Sequence, residues 1–190
     1  MRKALFLSVS VILFVTIFHN AQAADSDGYK IKVSMKEIEP FTYASVRQQG
    51  PFSDLETGVH ILLTNIGRQS IAPAGTMFAV FREIPEEGKG GNVDWEIGFP
   101  VTAQVLPQPP LIKGQWNYNT VASSNHTGPI ETISDPIDEM REWLDENGYV
   151  QDGPVMVIFL NIGAEDVIPS RLQTEIMIAC KEKVPEPNQN

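Results

Sequence analysis

The chain is poor in the residues on which most catalytic and metal chemistry depends. A single cysteine, Cys180, in 190 residues excludes an intramolecular disulfide. It lies on an apolar carboxy-terminal segment and reads as a small packed hydrophobe, not a nucleophile. Beyond an amino-terminal leader only His60 and His126 remain as histidines. There is no Gly-x-Ser-x-Gly elbow. Ser123 and Ser124 stand close to His126, but near neighbours along a strand point to different faces and do not build a dyad. Gly88-Lys89-Gly90-Gly91 lacks both the spacing and the following hydroxyl of a phosphate loop and reads as a hairpin connection. No His, Cys and carboxylate cluster has metal-ligand spacing, so neither a metal nor another cofactor is expected.

Long apolar runs are also missing. Ala4 to Phe18 is 15 residues, short of the roughly 20 that cross a bilayer as a helix. Arg2 and Lys3 precede it and Ala21-Gln22-Ala23 follows, the layout of a secretory signal over residues 1–23. Cleavage after Ala23 gives a periplasmic or secreted protein with no membrane span, retention leaves an uncleaved anchor as the alternative, and no cysteine at the junction offers a lipid acceptor. Removing Arg2 and Lys3 from the 14 basic residues leaves 12 against 24 acidic ones, a formal charge of −12. Such a balance repels phosphate backbones, so no nucleic-acid partner is expected. The remainder is long enough for one domain, 24–183, with a Pro-rich, polar tail over 184–190 that reads as disordered.

What the chain does contain is a repeat. Gly50-Pro51 recurs as Gly128-Pro129, Gly75 as Gly153 and Phe81 as Phe159, all at an offset of 78, while Glu96-Ile97 recurs as Glu175-Ile176 at 79. The halves are about 29–106 and 112–183, and each reads as strand, helix, strand, strand. In the first, Tyr29 to Val46 is extended with a break at Pro40. Pro51 and Ser53 then open a helix whose face is Leu55, Val59, Leu62, Leu63 and Ile66, and strands follow at Thr76 to Ile84 and Asp94 to Val105. In the second, Gln115 to Ser124 is extended and a helix from Ile130 to Glu146 carries Ile133, Ile137, Met140, Trp143 and Leu144. Strands at Pro154 to Asn161 and Leu172 to Lys181 complete it. Pro107, Pro109 and Pro110 make the link too short and stiff for independent domains, so the halves share one core.

Four segments then give the chain a family likeness: Gly75-Thr76-Met77-Phe78-Ala79-Val80-Phe81, Val93 to Val101, His126-Thr127-Gly128-Pro129, and Arg171-Leu172-Gln173-Thr174-Glu175-Ile176. Their order and spacing over Ile31 to Lys183 resemble the GyrI-like family, the effector-binding domain also found behind DNA-binding modules in AraC-type and MerR-type regulators. The resemblance implies an α+β fold of duplicated βαββ units with pseudo-twofold symmetry, an antiparallel sheet, two main helices and a ligand groove at the axis. It also implies that the family's ligand-binding carboxylate, set in a Thr-Glu-Ile context, falls on Glu175.

Strand alternation adds an independent reading. It sets Leu172, Thr174, Ile176 and Ile178 on one face and Glu175, Met177 and Ala179 on the other. A carboxylate among apolar neighbours is costly unless paired or used, and Glu96, among Trp95, Ile97 and Phe99, is in the same position. Aromatic walls suit a flat ligand, and the candidates are Trp95, Phe99, Trp116, Tyr118, Phe78 and Phe159, with core packing the competing reading for each. The expected ligand site is Glu175, Glu96, Trp116, Tyr118, Trp95, Phe159 and Met177.

The resemblance carries three functional implications. The first is an exported small-molecule-binding protein for a hydrophobic or cationic, aromatic organic ligand, with an envelope protein as a further possible partner. Some relatives hydrolyse reactive electrophilic toxins with a Tyr and Glu pair. Here Phe81 and Phe159 replace frequent tyrosines, Val157 stands in place of a glutamate and Ile130 in place of an aromatic, which favours binding without catalysis. SOUL-type proteins of similar fold bind haem, for which His60 is the candidate axial ligand.

Overall fold

A computed structural model describes residues 31–50, 54–82, 93–162 and 168–184. The expected leader over 1–23, Pro51 and Ser53 where the first helix is expected to open, the Gly-rich connection and the residues after Val184 lie outside the described residues. Eight strands form one sheet: β1 (Ser34–Glu37), β2 (Phe41–Gly50), β3 (Phe78–Phe81), β4 (Val93–Pro100), β5 (Ile112–Trp116), β6 (Thr120–Thr127), β7 (Tyr149–Phe159) and β8 (Gln173–Glu182). Two helices, α1 (Leu55–Arg68) and α2 (Ser134–Glu146), join β2 to β3 and β6 to β7. All pairings are antiparallel, in the order β1-β6-β8-β7-β3-β4-β2-β5.

That order reads the same backwards when each strand is exchanged for its counterpart in the other half. Ala79 pairs with Val157, residues 78 apart, so this pair maps onto itself and the pseudo-twofold axis passes through it. The fold is therefore the expected α+β arrangement, an antiparallel sheet with two helices.

The unit differs in one respect from strand, helix, strand, strand. The break at Pro40 separates two strands instead of bending one, and Asn117 to Asn119 does the same in the second half. The first strand of each half crosses over: β1 pairs with β6, and β5 pairs with β2. This exchange dictates the sheet's shape. Four Cα steps from Glu37 to Phe41 span about 14 Å, whereas six strand spacings on a flat sheet are about 29 Å. The sheet must curl until its two edges approach. Where the crossings meet, the amide of Ile38 donates to the Asn119 carbonyl at 2.8 Å, and Asn119 Nδ2 donates to the Ile38 carbonyl at 3.3 Å.

The helices cover the convex face. On α2 the whole expected stripe, Ile133, Ile137, Met140, Trp143 and Leu144, is buried, each side chain contributing about 1.5–3 kcal/mol by removal from water. On α1, Leu62 and Ile66 are buried with Leu55 and Val59 partly so, but Leu63 is exposed, because it falls one step outside the stripe that meets the sheet. Glu56 in the first turn and Arg68 in the last complement the α1 dipole. Alternate strand residues such as Ala44, Ala79, Ile97, Val157 and Ile178 complete this core. The concave face holds a second cluster of Tyr43, Phe78, Val80, Trp116, Met156 and Met177, against which Ile38 of the crossing packs.

Candidate functional site on the concave face

The concave face carries two glutamates in equivalent places. Ser45 Oγ donates to Glu96 Oε2 at 2.9 Å, and Ser123 Oγ donates to Glu175 Oε1 at 2.6 Å. The serines lie 78 residues apart and the glutamates 79, so one serine–glutamate bond occurs in both halves. Their cations do not obey the symmetry. Arg82, just after β3, donates through Nη2 to Glu96 Oε1 at 2.6 Å, whereas Glu175 takes the ammonium of Lys36, which arrives on the exchanged strand β1.

Burial separates the two further. The Glu96 side chain is 4% exposed and that of Glu175 15%. Tyr43 is a third donor to Glu96 and has no counterpart, since Val121 occupies the equivalent position. Burial, and then the charge and hydrogen bond of Glu96, push the Tyr43 hydroxyl up to about 12. Outside this cluster, Arg47 Nε donates to Asp94 Oδ1 at 2.9 Å, and that hydrogen bond holds the Asp94 carboxyl below its ordinary range.

Aromatic rings fill the rest of the face. Phe78 meets Phe41 and Tyr43 edge to face, at 5.7 and 5.3 Å between centroids. Trp116 meets Tyr118 at 5.0 Å, and its buried indole N–H donates to the Tyr118 carbonyl at 2.9 Å. Two glycines make room for the tyrosines: a Cβ at residue 114 would lie 2.2 Å from the Tyr43 ring, and one at residue 153 would lie 2.4 Å from that of Tyr118. Phe78, Val80, Trp116 and Met156 are each 2% exposed or less, so the face is packed, not hollow. Tyr118 and Glu175 remain reachable at its rim. A depression of about 610 Å³ lies elsewhere, between Ile71 and Leu106, and its lining has no ionisable side chain.

Of the expected site residues, the structure brings Glu175, Glu96, Met177, Trp116 and Tyr118 to this face. Trp95 and Phe159 are corrections: both are buried under the helices. Trp95 and Glu96 are adjacent on one strand and cannot share a face. Phe99 likewise turns to the helix side, and Phe78 to the concave one. His60 is exposed on α1, which packs on the convex side, so the proposed haem ligand does not reach this face. His126 lies near the end of β6, with its Nε2 3.3 Å from Thr132 Oγ1. Sequence reasoning missed Ser45, Ser123, Tyr43, Lys36 and Arg82. The serines were within reach, because Ala44-Ser45 recurs as Ala122-Ser123 at the same offset. Among the described residues no group of His, Cys, Asp and Glu could hold a metal, and no helix is long and apolar enough to cross a membrane.

The model of the GyrI-like small molecule binding domain matches residues 31–181, which carry both helices and all of the sheet but the last residue of β8. The chain belongs to the GyrI-like family. No curated protein matches it in sequence. Among solved structures, the EcmrR C-terminal domain is similar at 19% identity and a TM-score of 0.68, over 82% of this chain and 100% of that one. EcmrR in its complex with DNA is similar at 19% and 0.66, over 81% of this chain, which spans 58% of that one. A hydrolase from Listeria innocua is similar at 10% and 0.60, over 83% and 96%. SAV2435 bound to tetraphenylphosphonium is similar at 10% and 0.51, over 79% and 94%. At these identities the likeness shows the fold.

Within the GyrI-like fold, the substitutions at residues 81, 157 and 159 lose their bearing on chemistry. Phe81, Val157 and Phe159 all point into the helix-covered core, as does Ile130. The Tyr43–Glu96 pair, on the concave face, is where a tyrosine and a carboxylate do meet.

Proposed function

We propose that this GyrI-like chain is an exported binding protein for a hydrophobic, cationic organic molecule, which it holds against Glu175 at the concave face without changing it chemically. The observation that carries the reading is the unequal state of the two glutamates. Glu96 accepts from Ser45, Arg82 and Tyr43 and is buried, whereas Glu175 has one serine, one exposed lysine and an open edge. A carboxylate with spare accepting capacity beside Ile158 and Met177, on the face that also carries the Phe41–Phe78 pair, offers charge and apolar contact together. The family supports small-molecule binding, and the tetraphenylphosphonium complex of SAV2435 supports a bulky aromatic cation as the class. The leader over residues 1–23 supports export, and the acidic balance argues against nucleic acid. Because the face is packed, the ligand enters at the rim, where Phe41 and Tyr118 are the partly exposed rings to be displaced.

A second reading has one observation in its favour. The Tyr43–Glu96 pair, beside Arg82, is a hydroxyl and a carboxylate in contact, and one similar fold belongs to a hydrolase. Hydrolysis of an electrophile there would need Glu96 released from its donors. The test is calorimetry with tetraphenylphosphonium on residues 24–190, wild type against Glu175→Gln, alongside product analysis with a cyclopropane-bearing electrophile. Binding weakened about five- to a hundredfold by the substitution, with no turnover, is the expected result. Equal binding by both proteins removes Glu175 from the site, and turnover abolished by Tyr43→Phe moves the function to Glu96.

A further inference from the structure

We propose that Lys36 is a tethered competitor, a lysine that holds the cation position of the ligand site and thereby selects bulky, weakly hydrated cations over small ammonium compounds. The proposal rests on the reading of Glu175 as the ligand carboxylate. Lys36 sits on β1, a strand of four residues at the sheet edge, paired on one side only, with β6. From there its side chain passes over β6 and sets the ammonium on Glu175 Oε1, the same oxygen that takes the Ser123 hydroxyl. Lys36 and Arg82 are about as exposed as each other, so what separates the two pairs is the carboxylate: Glu175 is 15% exposed and Glu96 4%. Lys36 has no counterpart in the other half: the equivalent position, opposite Tyr43 as Lys36 is opposite Val121, is Gly114. The cation on Glu96 comes instead from Arg82, as a guanidinium on a carboxylate already holding two hydroxyls.

The consequence follows from exchange. A lysine ammonium held on a folded strand is present at an effective concentration on the order of millimolar or above. A small alkylammonium that displaces it replaces one hydrated ammonium contact by another and gains nothing from the exchange. A large cation with delocalised or shielded charge gives up little hydration and adds apolar contact with Ile158 and Met177 once Lys36 swings out into water. The lysine thus sets a threshold that apolar area, not charge, overcomes.

The experiment titrates wild type, Lys36→Met, Glu175→Gln and the double variant with tetraphenylphosphonium and with n-butylammonium, by calorimetry. Methionine keeps the apolar stem without charge, and circular dichroism melting checks that each variant folds; Lys36→Gln provides a second variant. Expected is an affinity gain of about three- to tenfold for tetraphenylphosphonium in Lys36→Met, and measurable n-butylammonium binding that wild type lacks. Both gains must vanish in the double variant. Wild type and Lys36→Met binding tetraphenylphosphonium equally would overturn this inference alone. Binding by neither, or equal binding by Glu175→Gln, would overturn the reading of Glu175 and the inference with it.

Discussion

The hydroxyl of Tyr43 is hydrogen-bonded to the carboxylate of Glu96, and both groups are buried. This gives the protein an alkaline signature. The folded-state value is raised from 10.0 to about 12, so the stabilisation is fully present below pH 10 and is lost as pH climbs through the interval to about 12. Two units correspond to about 2–3 kcal/mol at most. Absorbance titration near 295 nm should resolve one late tyrosine among the four, and Tyr43→Phe should remove that step and flatten the alkaline loss of stability. A late step that survives in Tyr43→Phe counts against the assignment.

Arg82 and Lys36 should differ in what their loss costs. Removing Arg82 strips a counter-ion from a carboxylate that is 4% exposed, while removing Lys36 strips one that water can reach. Discounted for the exposed guanidinium, Arg82→Met should destabilise by about 1–3 kcal/mol and Lys36→Met by less than about 1 kcal/mol. Urea denaturation at pH 7 measures both, and the reverse ranking would contradict the contrast drawn between the two glutamates.

Gly114 and Gly153 make a second comparison. The Tyr43 ring over residue 114 is pinned by Glu96, so Gly114→Ala should cost about 1–3 kcal/mol and lower the late tyrosine titration. Tyr118 over residue 153 is at the rim and can swing aside, so Gly153→Ala should cost less in thermal melting despite the nearby Ala179.

On the convex side, Trp143 is the largest member of the α2 stripe. Trp143→Ala should destabilise by about 3–5 kcal/mol through lost contact and the cavity left behind. Leu63→Ala, on the exposed side of α1, should change stability by no more than about 0.5 kcal/mol in the same urea experiment.

The sequence carried the repeat in plain view, and period-two alternation placed Glu175 and Met177 opposite Thr174 and Ile176 as the structure has them. The same rule applied to Glu96 would have sent Trp95 to the helix side. Choosing residues by aromatic character put Trp95 and Phe159 in the site, because ring size says nothing about which way a strand residue points. The strand exchange left no local trace: Pro40 reads alike whether the chain bends or crosses to another partner, and pairing with β6 is decided some 80 residues away. Lys36 was invisible for that reason. Its meeting with Glu175 spans 139 positions and exists only once β1 has crossed.

Mutual lending of β1 and β5 has a corollary for assembly. A chain severed in the Pro107 to Pro110 segment yields two pieces, each missing an outer strand that only its sister supplies, so neither should persist alone and mixing them should restore the whole. The same pairings could be satisfied between two molecules as well as within one. The reach of that short connector then decides between the two arrangements: shortening it until β5 no longer reaches β2 of its own molecule is the direct way to make an interlocked dimer, and lengthening it favours closure within one chain.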